Sequence, residues 1–198
     1  MGKRHHEVAM NKAVFLDRDG VLNFPVIRSG RPYPPQILSE FQLYPEAPEA
    51  CSLLRKAGFL LVVVTNQPDI GRGTQTLPVL EAMHARLREV LTLDRIEICT
   101  AANDTAPEAH RRKPAPGMLL DAAKALDIDM PRSYMIGDRW RDIDAGHAAG
   151  CVTIFIERSY TEKLRQPPHH HVINLLEASK LILSLERLHP SSQVTQPA

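Results

Sequence analysis

The sequence predicts an α/β protein built on a doubly wound, mostly parallel sheet. Three observations predict it. Apolar, strand-like runs alternate with helical patterns along the chain. One run, Phe59-Leu-Leu-Val-Val-Val64, is continuously apolar and rich in β-branched residues, as a strand covered on both faces must be. Several runs end abruptly in polar side chains, and ligands of an open α/β sheet sit beyond the carboxyl ends of its strands.

Residues 1–11 read as a loose arm preceding a single domain over 12–188. The first strand, 12–16, breaks into Asp17-Arg-Asp19-Gly20. Residues two apart at an extended strand end point the same way, so both acids face one crevice. Their repulsion is ordinarily relieved by a divalent cation. The plain alternative is an Asp-x-Asp-Gly turn with solvated acids. Gly20 lets the backbone turn away while the acids stay at the mouth. Residues 24–45 carry Pro25, Pro32, Pro34, Pro35 and Pro45 and read as a long connection without regular structure that arches over the crevice. Its Arg28 and Arg31 either meet an anionic substrate or are simply solvated.

Residues 46–57 form a helical pattern, with Pro48 in its first turn and Gly58 as its stop. The strand over 59–64 ends in Thr65-Asn66-Gln67, followed by the loop Gly71-Arg72-Gly73. Leu77 to Leu91 reads as a helix and Arg95 to Cys99 as a short strand. Residues 100–116 are an irregular loop holding Arg111-Arg112-Lys113-Pro114, and a helix runs from Pro116 to Leu126. Ser133 to Ile136 is a strand that breaks into Gly137-Asp138-Arg139-Trp140-Arg141-Asp142. A helix from about Asp142 to Ala149, Gly150, and a strand from Cys151 to Ile156 complete the alternation. The polar segment 159–171 ends in His169, His170 and His171, which read as a solvated loop rather than a metal site. Residues 172–188 carry a helical apolar pattern that packs on the sheet or on a partner. The last ten residues read as disordered.

Bulk properties exclude several function classes. With 24 basic against 23 acidic side chains, the net charge of +1 gives no electrostatic footprint for nucleic acid or an acidic membrane. No apolar run reaches membrane-spanning length. Cys51, Cys99 and Cys151 are scattered and no secretory signal precedes them, so they read as reduced thiols of a cytoplasmic protein.

The polar strand ends supply Asp17 and Asp19, Thr65 and Asn66, Lys113, and Asp138 with Asp142. Each alone has an ordinary reading, as a cap, a turn or a surface group. Together, at corresponding places of one sheet, they suit phosphoryl transfer, in which catalysis is positioning plus charge neutralisation. Asp17 is the candidate nucleophile, forming an acyl phosphate. Mg²⁺ takes hard oxygens and keeps several waters, so the carboxylates of Asp17 and Asp138 with the carbonyl of Asp19 suffice. Thr65 and Lys113 clamp phosphate oxygens. Asp19 protonates the leaving oxygen and then deprotonates the attacking water.

These motifs, in this order, resemble those of the haloacid dehalogenase (HAD) superfamily phosphatases. They are Asp17-x-Asp19-Gly-Val, the strand ending in Thr65, Lys113, and Gly137-Asp138-x-x-x-Asp142, spanning residues 13–150. Phe15-Leu-Asp-Arg-Asp-Gly-Val-Leu-Asn23, Val62-Val-Val-Thr-Asn-Gln67 and Arg112-Lys113-Pro-x-Pro-Gly-Met-Leu-Leu120 narrow the resemblance. They resemble the subfamily IIIA enzymes that act on D-glycero-D-manno-heptose 1,7-bisphosphate or histidinol phosphate. The resemblance implies a Rossmann-like HAD fold with a minimal cap. It also implies Asn66, Gln67, Arg112 and Arg139 on the substrate and Asp142 behind the lysine or the metal. Mg²⁺ held by Asp17, Asp19 and Asp138 follows from it as well. The heptose enzymes usually carry a zinc loop before the lysine. Here Cys99-Thr-Ala-Ala-Asn-Asp-Thr-Ala-Pro-Glu-Ala-His110 offers two of the four ligands a closed site needs, so zinc is not expected.

The expectation is thus a cytoplasmic, Mg²⁺-dependent phosphatase of carbohydrate metabolism, monomeric or a weak homodimer. It acts on a small phosphorylated metabolite through an aspartyl phosphate, with a sugar bisphosphate first and histidinol phosphate or another phosphosugar second. The non-enzymatic alternative is a binding module that keeps the fold. Filled catalytic positions argue against it.

Overall fold

The computed structural model describes residues 10–188. The first nine residues of the expected arm and the expected tail 189–198 lie outside them. Six parallel strands form the central sheet: β1 (Ala13–Leu16), β4 (Leu60–Asn66), β5 (Arg95–Cys99), β6 (Tyr134–Gly137), β7 (Val152–Ile156) and β8 (His170–Val172). Their order is β5-β4-β1-β6-β7-β8. The chain moves outward from β1 through β4 to β5, then returns to β6 on the other side of β1. That reversal is a topological switch point, and it opens a crevice beyond the carboxyl ends of β1, β4 and β6.

The helices are α1 (Ala47–Lys56), the short α2 (Pro68–Gly71), α3 (Leu77–Val90), α4 (Gly117–Leu126), α5 (Trp140–Ala149) and α6 (Leu175–Leu188). Alternate residues of each central strand serve opposite faces. Val14, Leu16, Leu61, Val63 and Ile136 pack with Leu54 of α1, Met83 and Leu87 of α3, and Ala178 and Ile182 of α6. Ala13, Phe15, Val62, Val64 and Met135 pack with Met118, Leu119 and Ala122 of α4 and Ala145 of α5. Covering on both faces is why these strands read as unbroken apolar runs.

Two expectations need correction. Residues 24–45 are not without regular structure. They contain an antiparallel hairpin of β2 (Val26–Arg28) and β3 (Arg31–Tyr33). Ser29 and Gly30 at its turn both have positive φ, 48° and 72°, the geometry of a tight two-residue hairpin turn. Pro32 is tolerated because a two-stranded ribbon has free edges. Second, His170 and His171 belong to the edge strand β8, not to a solvated loop. His169 next to them accepts at Nδ1 from the Thr153 backbone N–H at 3.0 Å and donates from its own backbone to Thr153 Oγ1 at 3.1 Å. The C-terminal helix starts at Leu175, and of the two alternatives expected for it, it packs on α1 and the sheet.

Candidate active site

The turn after β1 sets the site. The Arg18 carbonyl accepts from the backbone N–H groups of Leu22 (2.9 Å) and Asn23 (3.1 Å), and Gly20 N–H donates to the Asn23 carbonyl at 2.8 Å. Gly20 has φ +98°, and a Cβ there would stand 1.8 Å from Asp138 Oδ2. Only glycine permits both the backbone conformation and the close approach of β1's turn to the end of β6.

Lys113 is 1% exposed. Its Nζ donates to Asp17 Oδ1 and Asp142 Oδ1, both at 2.7 Å, and to the Val64 carbonyl at 2.8 Å, using all three hydrogens. Burial alone would push this ammonium down. Asp142 and Asp17 outweigh it, so the pKa rises and the cation persists. Asn66 aligns the lysine's backbone: its side chain accepts from Lys113 N–H at 3.1 Å and donates to the Lys113 carbonyl at 2.9 Å. Asp142 is fixed in turn, because its Oδ2 accepts from the Arg139 N–H at the start of α5, at 3.0 Å.

Asp17 is pushed up to about 6, chiefly by burial, with Lys113 opposing and Asp142 and Asp19 adding to the rise. Asp138 is raised well above the usual range by burial, then by Asp17 and Asp142. Both Asp138 oxygens are buried without a hydrogen bond of good geometry, the neighbouring donor being the Tyr160 hydroxyl. Buried carboxylate oxygens without donors are costly and call for a counter-charge. Carboxylate oxygens of Asp17, Asp138 and Asp142 lie within 4.8 Å of one another. Asp142 is already committed to Lys113 and Arg139, so Asp17 and Asp138 remain as the hard oxygen donors that fit a small divalent cation.

Above this floor opens a cleft of about 510 Å³. Asp17, Asp19, Asn66, Lys113 and Asp142 line its floor, and Arg31, Arg72, Arg112, Arg139 and Arg141 stand around it. Arg112 donates to the Ala101 carbonyl at 3.0 Å and pairs with Asp104 at 3.2 Å. Arg139 forks onto Glu162, with Nε to Oε2 at 2.8 Å. Thr65 is buried at the end of β4. Its Oγ1 accepts from Gln67 at 2.9 Å and keeps its own proton to donate. Gln67 is fully buried and faces Thr65 and Asp19 rather than the cleft. Cys99 is buried, with Sγ 3.6 Å from the Glu108 carbonyl, while His110 is exposed.

Sequence reasoning missed Arg18, Asn23, His84, Arg158 and Tyr160. Arg18 is fully buried and forks onto Asp19. Arg158 donates to the Gly20 carbonyl at 3.0 and 2.9 Å. Tyr160 stands with its hydroxyl beside Gly20 and Asp138. The signal for Arg18 was its place: at a buried strand end between two acids that face the crevice, it must turn the other way and needs a buried partner. No pattern pointed to Arg158 or Tyr160, which arrive from a segment remote in sequence.

A HAD-hydrolase-like family model matches residues 110–178. The D-glycero-beta-D-manno-heptose-1,7-bisphosphate 7-phosphatase of Pasteurella multocida is 35% identical over 189 residues, covering 89% of this chain and all of that protein. The enzyme of the same name from Photorhabdus laumondii is 40% identical over 157 residues, 74% of this chain and 80% of its own. Among solved structures, D,D-heptose 1,7-bisphosphate phosphatase from B. bronchiseptica, complexed with magnesium and phosphate, superposes with a TM-score of 0.77 at 27% identity. That match covers 88% of this chain and 99% of the other.

Proposed function

This chain belongs to the HAD-like phosphatases, in the family of the heptose-1,7-bisphosphate 7-phosphatases, and from that premise we propose that it removes one phosphate from a sugar bisphosphate. The observation that carries this reading is the buried triad at the switch point. Asp17 and the buried Asp138 face each other beside a Lys113 cation held on three sides. A cation seated between two such carboxylates lowers the repulsion that a phosphate dianion meets on approaching Asp17, and Mg²⁺ fits that donor set.

Asp17 attacks phosphorus, forming an acyl O–P bond as the ester P–O bond breaks. Lys113 and the Thr65 hydroxyl hold the equatorial oxygens, where charge collects. The departing alkoxide takes a proton from the Asp19 carboxyl. Asp19, now a carboxylate, removes a proton from a water whose oxygen attacks the same phosphorus. The acyl O–P bond then breaks, returning the Asp17 carboxylate and releasing inorganic phosphate. The arginines around the cleft suit the second phosphate of a bisphosphate, and the names of the relatives favour D-glycero-D-manno-heptose 1,7-bisphosphate. We assign a cytoplasmic, monomeric or weakly dimeric enzyme without a zinc loop. Three free, buried cysteines support the reducing compartment.

The test is phosphate release from p-nitrophenyl phosphate and from the heptose bisphosphate with Mg²⁺ and with excess chelator. Wild-type turnover that needs Mg²⁺ and vanishes in D17N is the expected result. Metal-independent turnover, or turnover surviving in D17N, overturns the reading.

A further inference from the structure

We infer that Arg18, held from behind by His84 of α3, is the positioning residue for Asp19, fixing the acid–base carboxylate so that both half-reactions use it. The inference rests on the assignment of Asp19 as acid and base. Arg18 has no exposure to solvent, and a buried guanidinium must be paired. Its Nη2 donates to Asp19 Oδ1 at 3.0 Å and Oδ2 at 2.9 Å, and its Nε donates to Oδ1 at 3.2 Å. Asn23 adds a donor to Oδ1, and Gln67 one to Oδ2, both at 2.9 Å. The carboxylate is therefore oriented by three side chains, of which Arg18 alone is charged.

Arg18 is itself located by two contacts. The Phe41 ring centroid lies 5.6 Å from its guanidinium carbon. Its Nη1 donates to His84 Nε2 at 3.2 Å. A guanidinium cannot accept, so His84 must present an unprotonated Nε2 and carry its proton, when neutral, on Nδ1. Burial, then Arg18 and Arg88, push His84 down to about 3, which keeps that acceptor available at neutral pH. His84 is fully buried on the far side of Arg18 from Asp19, so it contacts no reacting atom. A helix remote in sequence, α3, thereby sets the angle of the general acid.

Leaving groups separate this role from a structural one. An aryl phosphate needs no acid to expel its phenolate, but the later attack of water needs the base. With enzyme in excess over p-nitrophenyl phosphate, R18K should release p-nitrophenol within about threefold of wild type, while steady-state turnover of an alkyl phosphate falls roughly 10- to 100-fold, the range of a misplaced general acid–base, with KM little changed. H84L should show the same split. H84Q, which restores an acceptor, should return most of the turnover. In the D19N background, R18K and H84L should cost nothing more. Equal losses in both assays, or losses that add to that of D19N, overturn the inference while leaving the phosphatase reading intact. Full activity in D19N alone overturns the acid–base assignment itself. Should R18K not fold, the H84L and H84Q pair reads the same split.

Discussion

Asp138 shows how a single side chain reports what it lacks. Its two buried oxygens are tolerable only if a proton or a cation neutralises them, and a cation can be shared with Asp17. Gly20 makes room for that arrangement, so G20A should fail twice over, through its positive φ and through a Cβ 1.8 Å from Asp138 Oδ2. Calorimetric titration should find Mg²⁺ binding lost, and thermal unfolding should move to lower temperature. Unchanged Mg²⁺ affinity would mean that Asp138 is not a ligand. His84 makes a second prediction. Its folded pKa of about 3 lies below the unfolded 6.5, so the unfolded state binds more protons between those values. Its stabilising contribution is complete above pH 6.5 and is lost as pH falls toward 3. Charges facing it are Arg18, Arg88 and Asp19, with Glu81 Oε1 at 3.8 Å from Nδ1. In metal-free protein Asp17 and Asp138, both raised, act with the opposite sign in this range, so the comparison must be against a variant. Urea midpoints measured from pH 7 to pH 4 should fall more steeply in wild type than in H84Q, and parallel curves would contradict the neutral buried histidine. At this scale Asp17 and Asp138 were legible because each breaks an apolar run at a strand end, and Lys113 because it stands in a basic run just before a helix. Gln67 was expected on the substrate as one of the polar residues ending a strand, and its burial against Asp19 and Thr65 is a tertiary fact that no spacing encodes.

Among the elements, the central strands and the helices α1, α3, α4 and α5 followed directly from apolar pattern and from proline and glycine punctuation. The β2–β3 hairpin did not. Its strands are three residues each and mostly exposed, so they lack an apolar signature. The Ser29-Gly30 pair was the one local sign. The segment after β7 was read only as polar, yet it braces the site. Arg158 donates to Gly20 and stacks on Tyr44 at 4.4 Å, Thr161 N–H donates to the Gly30 carbonyl at 3.3 Å, and Glu162 pairs with Arg139. This strap joins the acidic turn, the hairpin and the start of α5. R158A should therefore raise the Mg²⁺ concentration for half-maximal activity by about tenfold, the low end for outer partners of a metal site. An unaltered Mg²⁺ dependence would confine Arg158 to packing.

Across the whole molecule, the site is assembled from residues 17, 65 and 113 and the 138/142 pair, which lie far apart in sequence. The doubly wound topology brings them together by ending β1, β4 and β6 at one edge, on either side of the reversal in strand order, and the loop between β5 and α4 adds Lys113 there. Covering helices on both faces keep that edge rigid. The central claim is that Asp17 carries the phosphoryl group between the two half-reactions. Its most direct test is acid quenching during turnover of p-nitrophenyl phosphate with Mg²⁺, followed by proteolysis and mass spectrometry. A phosphoryl adduct on the peptide containing Asp17, lost on mild base treatment and absent in D17N, is the predicted result. Steady turnover with the adduct on another residue would contradict the account.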